Sequence, residues 1–261
     1  MGVITLTTDF GLRDWYVGAM KGAILGVAPK AMVVDITHEI GPYDVVHGAF
    51  VLRQVVASFP VGTIHVVVVD PGVGSSRRIL LGQYAGQYVI APDNGLLTFL
   101  HRDVAVAEMV VVENRRYFSE MASTTFHGRD VMGPVAGHLH NGVRAKEFGR
   151  LTDRMEMLAV LHRAEVVGGE IRGEVLYVDR FGTLVTNIGL EQLAAPRVVE
   201  REAKVFVGDV AVGGIRAAYH EAAIGEPIAL VGSAGYLEIA VNQGRAVDRF
   251  EGKPTIRVSF A

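Results

Sequence analysis

The run from Ile64 to Val69, which is apolar except for His65, is the sequence feature that most constrains the fold. It contains four consecutive valines, Val66–Val69. A strand with one face in water alternates apolar and polar residues, whereas a continuous run is typical of a strand buried on both faces. Such strands occur in parallel sheets that are covered by helices on both sides. The run then ends in the polar segment Asp-Pro-Gly-Val-Gly-Ser-Ser-Arg-Arg, residues 70–78. The strand therefore brings a carboxylate and two guanidinium groups to one edge of the predicted sheet.

Other segments of the first 160 residues alternate between short apolar runs and helix-period patterns. Asp44 has the residue type and position of a helix N-cap. Pro134 is expected to shorten or kink the helix that contains it. The predicted strands are 3–7, 32–36, 64–69, 88–91 and 104–112, and the predicted helices are 17–27, 44–57 and 129–140.

The pattern changes near residue 163. Beyond it the apolar runs are short and separated by glycines, and no helix-length periodic segment occurs between residues 203 and 261. This pattern predicts a small antiparallel barrel or sandwich. We therefore predict two domains: an α/β domain with a mainly parallel sheet over residues 1–163, and a small all-β, barrel-like domain over residues 164–261.

Composition excludes several classes of function. The 261 residues include no cysteine, which rules out disulfides, thiolate nucleophiles and cysteine-bound metals. The net charge of −3, with both signs mixed along the chain, argues against a nucleic-acid or anionic-membrane partner. The N-terminus lacks the pattern of a signal peptide, and no run of 18 apolar residues is present. We expect a soluble cytoplasmic protein.

Two aspartates follow predicted strands. Asp9 and Asp70 lie at carboxyl ends, where open parallel sheets bind their ligands. A strand-end aspartate can equally cap a turn, and Asp70 and Arg77 can simply pair to close one. His127 lies where a loop rich in Ser, Thr and Gly enters a helical pattern, which favours a role in a site. Residue types and spacing predict polar groups at one sheet edge, but they do not identify a substrate.

The chain as a whole resembles the S-adenosylmethionine hydroxide adenosyltransferases, which are relatives of the fluorinating and chlorinating enzymes that use the same substrate. The motifs that carry the resemblance are Thr8-Asp-Phe-Gly11, Val34-Asp-Ile-Thr-His38, Asp70-Pro-Gly-Val-Gly74, Ala91-Pro-Asp-Asn-Gly-Leu-Leu97, Phe126-His-Gly-Arg-Asp130, Asp179-Arg-Phe-Gly182 and Gly235-Tyr-Leu-Glu-Ile-Ala240. They occur in order along most of the chain.

The resemblance implies an enzyme that hydrolyses S-adenosyl-L-methionine to adenosine and L-methionine by attack of water or hydroxide at the ribose C5′ carbon. The family's water-activating residues match Asp70, Arg77 and His127, and no metal or cofactor is implied. The halogenating relatives carry neutral residues at the positions of Asp70 and His127. Two alternatives stay open: a halide-dependent adenosyltransferase, and a non-catalytic sensor of adenosine or S-adenosylmethionine.

The resemblance also implies a binding site and an assembly. Asp9 matches the carboxylate that holds the ribose hydroxyls, and Tyr43 lies at a position beside the ribose. The other implied substrate-binding residues are Asp179 and Ser233 near the methionine portion, and Asn187, Glu238 and the backbone of Val241 around the adenosine. Thr183 departs from the family, which usually has Asn there. Family members are homotrimers with sites at subunit interfaces.

Overall fold

The computed structural model describes residues 2–159, 164–194, 203–252 and 254–260. The chain forms two compact units, Met1–Leu158 and Ala159–Ala261. The predicted domain boundary after residue 163 lies outside the described residues and stays a prediction.

The N-terminal unit is built on a six-stranded sheet with the order β2-β1-β3-β5-β4-β6. Strands β1, β2, β3 and β5 pair in parallel, and β4 runs antiparallel to both of its neighbours. The sheet is therefore mixed, with its parallel strands grouped together. The strands are β1 (Ile4–Thr8), β2 (Val33–Thr37), β3 (Ile64–Val68), β4 (Ile79–Tyr84), β5 (Gln87–Pro92) and β6 (Val106–Val111).

Helices cover both faces of this sheet. They are α1 (Tyr16–Val27), α2 (Val45–Val56), α3 (Thr98–Asp103) and α4 (Gly133–His140). Val66 and Val68 pack in one hydrophobic cluster with residues of α1 and α4. Val67 and Val69 pack in another cluster with residues of α2 and α3. The two-sided burial predicted from the valine run is thus confirmed. Within the described ranges, no helix has the length and apolar character needed to cross a membrane.

The helix termini follow local sequence rules. Asp44 Oδ1 accepts a hydrogen bond from the backbone N–H of His47 at 2.9 Å, so it caps α2 as predicted. Pro134 lies in the first turn of α4 and is preceded by a π-helical turn, Gly128–Met132. The α-helix is consequently shorter than the predicted 129–140, because a proline is tolerated only where its missing N–H is not needed.

The C-terminal unit contains two five-stranded sheets, with the orders β13-β14-β15-β10-β9 and β12-β11-β16-β8-β7. Residues from both sheets, among them Ile171, Val258, Leu184 and Ile239, share one hydrophobic core. The prediction of a β-sheet domain is confirmed. No closed sheet is seen among the described strands, so a barrel-like arrangement stays a prediction. The elements are β7 (Glu165–Val167), β8 (Glu170–Gly173), β9 (Val175–Val178), β10 (Leu184–Gly189), α5 (Leu190–Leu193), β11 (Ala203–Val207), β12 (Val210–Gly213), β13 (Ile215–Arg216), β14 (Pro227–Val231), β15 (Tyr236–Val241), α6 (Ala246–Arg249) and β16 (Ile256–Phe260).

Candidate active site

A pocket of about 260 Å³ lies at the carboxyl edge of the N-terminal sheet. Strands β1 and β3 pair in parallel with Thr8 opposite Val68, so the residues that follow them emerge side by side. The pocket brings together four residues predicted from the sequence, namely Asp9, Tyr43, Asp70 and His127. Its full lining is Asp9, Phe10, Tyr16, Pro42, Tyr43, Val68, Asp70, Val73, Thr125, Phe126, His127 and Gly128.

Asp70 and Arg77 form a buried ion pair beside this pocket. Arg77 Nε donates to Asp70 Oδ1 at 2.9 Å, and Arg77 Nη2 contacts Asp70 Oδ2. The side chain of Arg77 is only 9% exposed, and that of Asp70 is 4% exposed. Asp70 Oδ2 is buried, and Arg77 Nη2 is its ion-pair partner. An ionised carboxylate has more lone pairs than these two contacts use, so Asp70 can still accept a hydrogen bond from a donor in the pocket that it lines.

The turn between these two residues depends on Gly74. Its φ is +80°, a conformation that side-chain-bearing residues rarely adopt. A Cβ atom at this position would lie 2.6 Å from the carbonyl oxygen of Thr124. Close packing against that carbonyl requires glycine, and the resulting turn lets Arg77 fold back onto Asp70.

His127 completes the cluster through Arg77. Arg77 Nη2 lies 2.8 Å from His127 Nδ1. A guanidinium group can only donate, so Nδ1 must accept, and the neutral ring carries its proton on Nε2. The pKa of His127 is lowered by burial and then by the Arg77 charge, while Asp70 and Asp130 raise it more weakly. At neutral pH His127 is therefore a neutral hydrogen-bond donor through Nε2.

Asp9 is held at the pocket by the backbone of Tyr43. The Tyr43 N–H donates to Asp9 Oδ2 at 2.9 Å, and Tyr43 has a φ of +65°, which is rare for a non-glycine residue. Burial raises the pKa of Asp9, and the nearby charge of Asp70 adds to this rise. A carboxylate can accept several hydrogen bonds, so one backbone donor leaves Asp9 able to receive ligand hydroxyls.

Three aromatic side chains form an apolar wall that sequence reasoning did not assign. Phe126 packs edge-on against Phe10 and Tyr16, with ring centroids 5.7 and 5.4 Å apart. Phe10 follows Asp9, and Phe126 precedes His127. Their adjacency to predicted site residues was the available signal.

The predicted substrate-binding residues of the C-terminal unit have different local surroundings. Asp179 Oδ1 accepts from the backbone N–H of Thr183 at 2.8 Å, within a turn where Gly182 has a φ of +82°. Asn187 Oδ1 accepts from the backbone N–H of Glu174 at 2.8 Å. Both side chains thus take part in backbone structure. Ser233 is exposed in the turn that precedes β15.

A second pocket, of about 480 Å³, lies within the C-terminal unit and contains Val241. Thr183, the departure from the family pattern, also lines it, as does Tyr219. The Tyr219 hydroxyl donates to Glu238 Oε2 at 3.3 Å. Burial raises the pKa of Glu238, and the charge of Asp179 contributes to this rise. Among the five C-terminal candidates, only Val241 lines the pocket directly.

Comparison with protein families decides the class of this protein. The model described as the SAM hydroxide adenosyltransferase N-terminal domain matches residues 4–149, and the corresponding C-terminal domain matches residues 173–259. The chain belongs to the S-adenosylmethionine hydroxide adenosyltransferase family. The resemblance predicted from the sequence motifs is confirmed.

Individual relatives agree with this assignment. An (R)-S-adenosyl-L-methionine hydrolase from Thermus thermophilus is 36% identical over 97% of this chain and 98% of its own length. A fluorinase from Actinoplanes sp. is 27% identical over 92% of this chain and 91% of its own length. The crystal structure of an uncharacterized conserved protein from Thermotoga maritima superimposes with a TM-score of 0.91 at 37% identity, covering 98% of this chain and all of the other.

Proposed function

We propose that the chain hydrolyses S-adenosyl-L-methionine to adenosine and L-methionine, with Asp70, Arg77 and His127 acting on the attacking water. One observation carries the proposal: Arg77 hydrogen-bonds to both Asp70 and His127, and these two residues line the same pocket. The three groups thus act as a unit. The substrate is the (R)-sulfonium diastereomer, by analogy with the Thermus thermophilus relative.

The reaction is a displacement at the ribose C5′ carbon. The water oxygen forms a bond to C5′ while the C5′–S bond breaks. The electron pair of the C5′–S bond goes to sulfur. Sulfonium leaves as a neutral thioether, so the leaving group needs no proton. The chemical difficulty is the presentation of one aimed, poorly solvated oxygen nucleophile. The reaction uses no metal or cofactor.

The geometry favours different tasks for the three residues. Asp70 lines the pocket, and its carboxylate receives the proton of the water through a lone pair that the two Arg77 contacts leave open. His127 orients the water by donating from Nε2 rather than by taking its proton, because its other nitrogen already accepts from Arg77. Arg77 supplies a permanent positive charge that stabilises the developing hydroxide.

Substrate binding uses both units in this proposal. Asp9 accepts hydrogen bonds from the two ribose hydroxyls, and Tyr43 lies beside the sugar. Asp179 and Ser233 bind the methionine portion. The remaining residues assigned to the adenosine are Asn187, Glu238 and the Val241 backbone. A homotrimer with sites at subunit interfaces fits the apolar side chains exposed near the first pocket, which include Leu12, Trp15 and Tyr43.

The test is product analysis in ¹⁸O-labelled water. Purified protein is incubated with each sulfonium diastereomer, and adenosine and methionine are quantified by mass spectrometry. We expect consumption of the (R) form and one ¹⁸O atom in the 5′-hydroxyl of adenosine. Unlabelled adenosine would contradict attack of water at C5′, and 5′-chloro-5′-deoxyadenosine formed in the presence of chloride would favour the halide-dependent alternative. Tight binding without any product would favour the sensor.

A further inference from the structure

The connection between Asp70 and Arg77 spans a neighbouring strand. In the sheet, β5 lies between β3 and β4. Because β5 is parallel to β3 and antiparallel to β4, the end of β3, the end of β5 and the start of β4 meet at one edge. Residues 69–78 therefore form an arch over the carboxyl end of β5, with Asp70 and Arg77 near its two bases.

The two residues that follow β5 bind both bases of this arch. Asn94 Nδ2 donates to the carbonyl oxygen of Val69, the residue before Asp70, at 2.9 Å. Asp93 Oδ2 accepts from Nε and Nη2 of Arg78, the residue after Arg77, at 2.8 and 2.5 Å. The backbone N–H of Asp93 also donates to the carbonyl oxygen of Arg78 at 2.9 Å.

The Asp93 carboxylate is itself firmly held. Its side chain is 4% exposed, and its second oxygen, Oδ1, accepts from the backbone N–H of Glu156 at 2.7 Å. Arg78 Nη2 donates in addition to the carbonyl oxygen of Arg154 at 2.8 Å. Both Arg78 nitrogens donate to the single oxygen Oδ2, and these charge-assisted bonds, together with the bond from Glu156 to Oδ1, hold the two side chains in place. The backbone around Arg78 therefore has little freedom to turn.

We propose that Asp93 and Asn94 are positioning residues for the hydrolysis: by gripping the neighbours of Asp70 and Arg77, they set the distance and direction between the two catalytic side chains. This inference rests on the proposed function. Neither residue lines the pocket, so neither touches the substrate there. An error of about 1 Å in such a pair can cost on the order of 100-fold in rate.

The test uses two variants. Arg78→Lys keeps the positive charge but loses the paired hydrogen bonds to Asp93. Asn94→Ala removes the hydrogen bond to the carbonyl oxygen of Val69. Arg53→Lys is the matched control, because Arg53 Nε binds Asp103 Oδ2 at 2.6 Å between α2 and α3, away from the arch. We expect kcat to fall about 10- to 100-fold in both test variants, with KM changed by less than about twofold. The control keeps the wild-type kcat. Melting temperatures establish which variants are folded.

A second readout needs no turnover. The pKa of His127 is set by burial and by the charges of Arg77, Asp70 and Asp130 that face it. If Arg78→Lys lets Arg77 move away, His127 loses a neighbouring cation, and we expect its NMR titration to shift to higher pH, the same direction that we expect for Arg77→Ala. Arg53→Lys leaves the titration in place. A merely stabilising salt bridge would not move it.

The outcomes separate the two proposals. Wild-type hydrolysis by a folded Arg77→Ala protein would overturn the proposed function. An inactive Arg77→Ala, together with folded Arg78→Lys and Asn94→Ala proteins that keep the wild-type kcat and His127 titration, would overturn the positioning role alone. If Arg78→Lys does not fold, Asn94→Ala decides the question by its kcat.

Discussion

Replacement of Asp9 by Asn tests how the ribose is recognised. Asp9 already accepts one hydrogen bond, from the Tyr43 N–H to Oδ2 at 2.9 Å, and an amide oxygen can keep that contact. The substitution therefore removes the charge and one acceptor without releasing the backbone of Tyr43, whose φ is +65°. Asp9→Ala would free that N–H as well, so it is the less specific variant.

The expected loss of substrate affinity follows from the hydrogen bonds between Asp9 and the ribose hydroxyls. A hydrogen bond to a charged group contributes about 1.5–3 kcal/mol. At about 1.4 kcal/mol per factor of ten, Asp9→Asn should weaken substrate binding by about 10- to 100-fold. Calorimetry with S-adenosyl-L-methionine, run under conditions that prevent turnover, measures this loss directly.

A substrate analogue provides the control. The 2′-deoxy form of the substrate lacks one donor, so the wild-type protein should lose affinity for it while Asp9→Asn loses much less. Equal losses in the two proteins would refute the assignment, because they would mean that Asp9 does not contact the 2′-hydroxyl.

Three further predictions concern the turn, the core and the nucleophile. Gly74→Ala should lower both melting temperature and kcat, because its Cβ would lie 2.6 Å from a backbone oxygen and displace the turn that carries Arg77; unchanged values in both assays would contradict this. Burial lowers the pKa of His65, so the folded state binds fewer protons than the unfolded state, and the free energy of unfolding should fall as pH drops below about 6.5. Urea titrations at pH 8 and pH 5 should show this fall, and His65→Gln should reduce it. Asp70→Ala removes the negative charge where an anion would have to lie, so it should gain weak chloride-dependent turnover, detectable as 5′-chloro-5′-deoxyadenosine.

Most elements of the N-terminal unit could be predicted because their signals are local. The valine run identified β3, Asp44 identified the start of α2, and Pro134 limited α4. Strand β4 was missed because Gly82 and Gln83 interrupt its apolar run. The antiparallel pairing of β4, which makes the sheet mixed, was missed with it.

The site was predictable in outline but not in detail. Strand-end position and family resemblance together pointed to Asp70, Arg77 and His127, and the structure places them in contact. The proton position on His127 depends on which ring nitrogen faces Arg77, and spacing cannot give that. The hydrogen bonds from Asp93 and Asn94 to the neighbours of Arg77 and Asp70 form because β5 lies between β3 and β4. This is a property of strand order rather than of local sequence.

The C-terminal unit shows a different limit. The resemblance assigns Asn187 to the adenosine, which stays a prediction, and the sequence did not show that its side-chain oxygen accepts a hydrogen bond from the Glu174 N–H. A motif at a family position thus predicts a role for a side chain without giving the hydrogen bonds that the side chain makes within the fold. The aromatic wall was missed because Phe10 and Phe126 have the sequence pattern of ordinary apolar residues beside the polar site residues Asp9 and His127.

The central claim is that Asp70, Arg77 and His127 act as one unit on the attacking water. Single-turnover rates of Asp70→Ala, Arg77→Ala, His127→Ala and the triple variant, with melting temperatures on the same preparations, test it most directly. Groups that act together lose activity non-additively, so each single variant should lose most of what the triple variant loses, while substrate affinity changes little. A stable Asp70→Ala protein that produces adenosine at nearly the wild-type rate would contradict the claim and would reduce the Asp70–Arg77 pair to a structural closure of the turn.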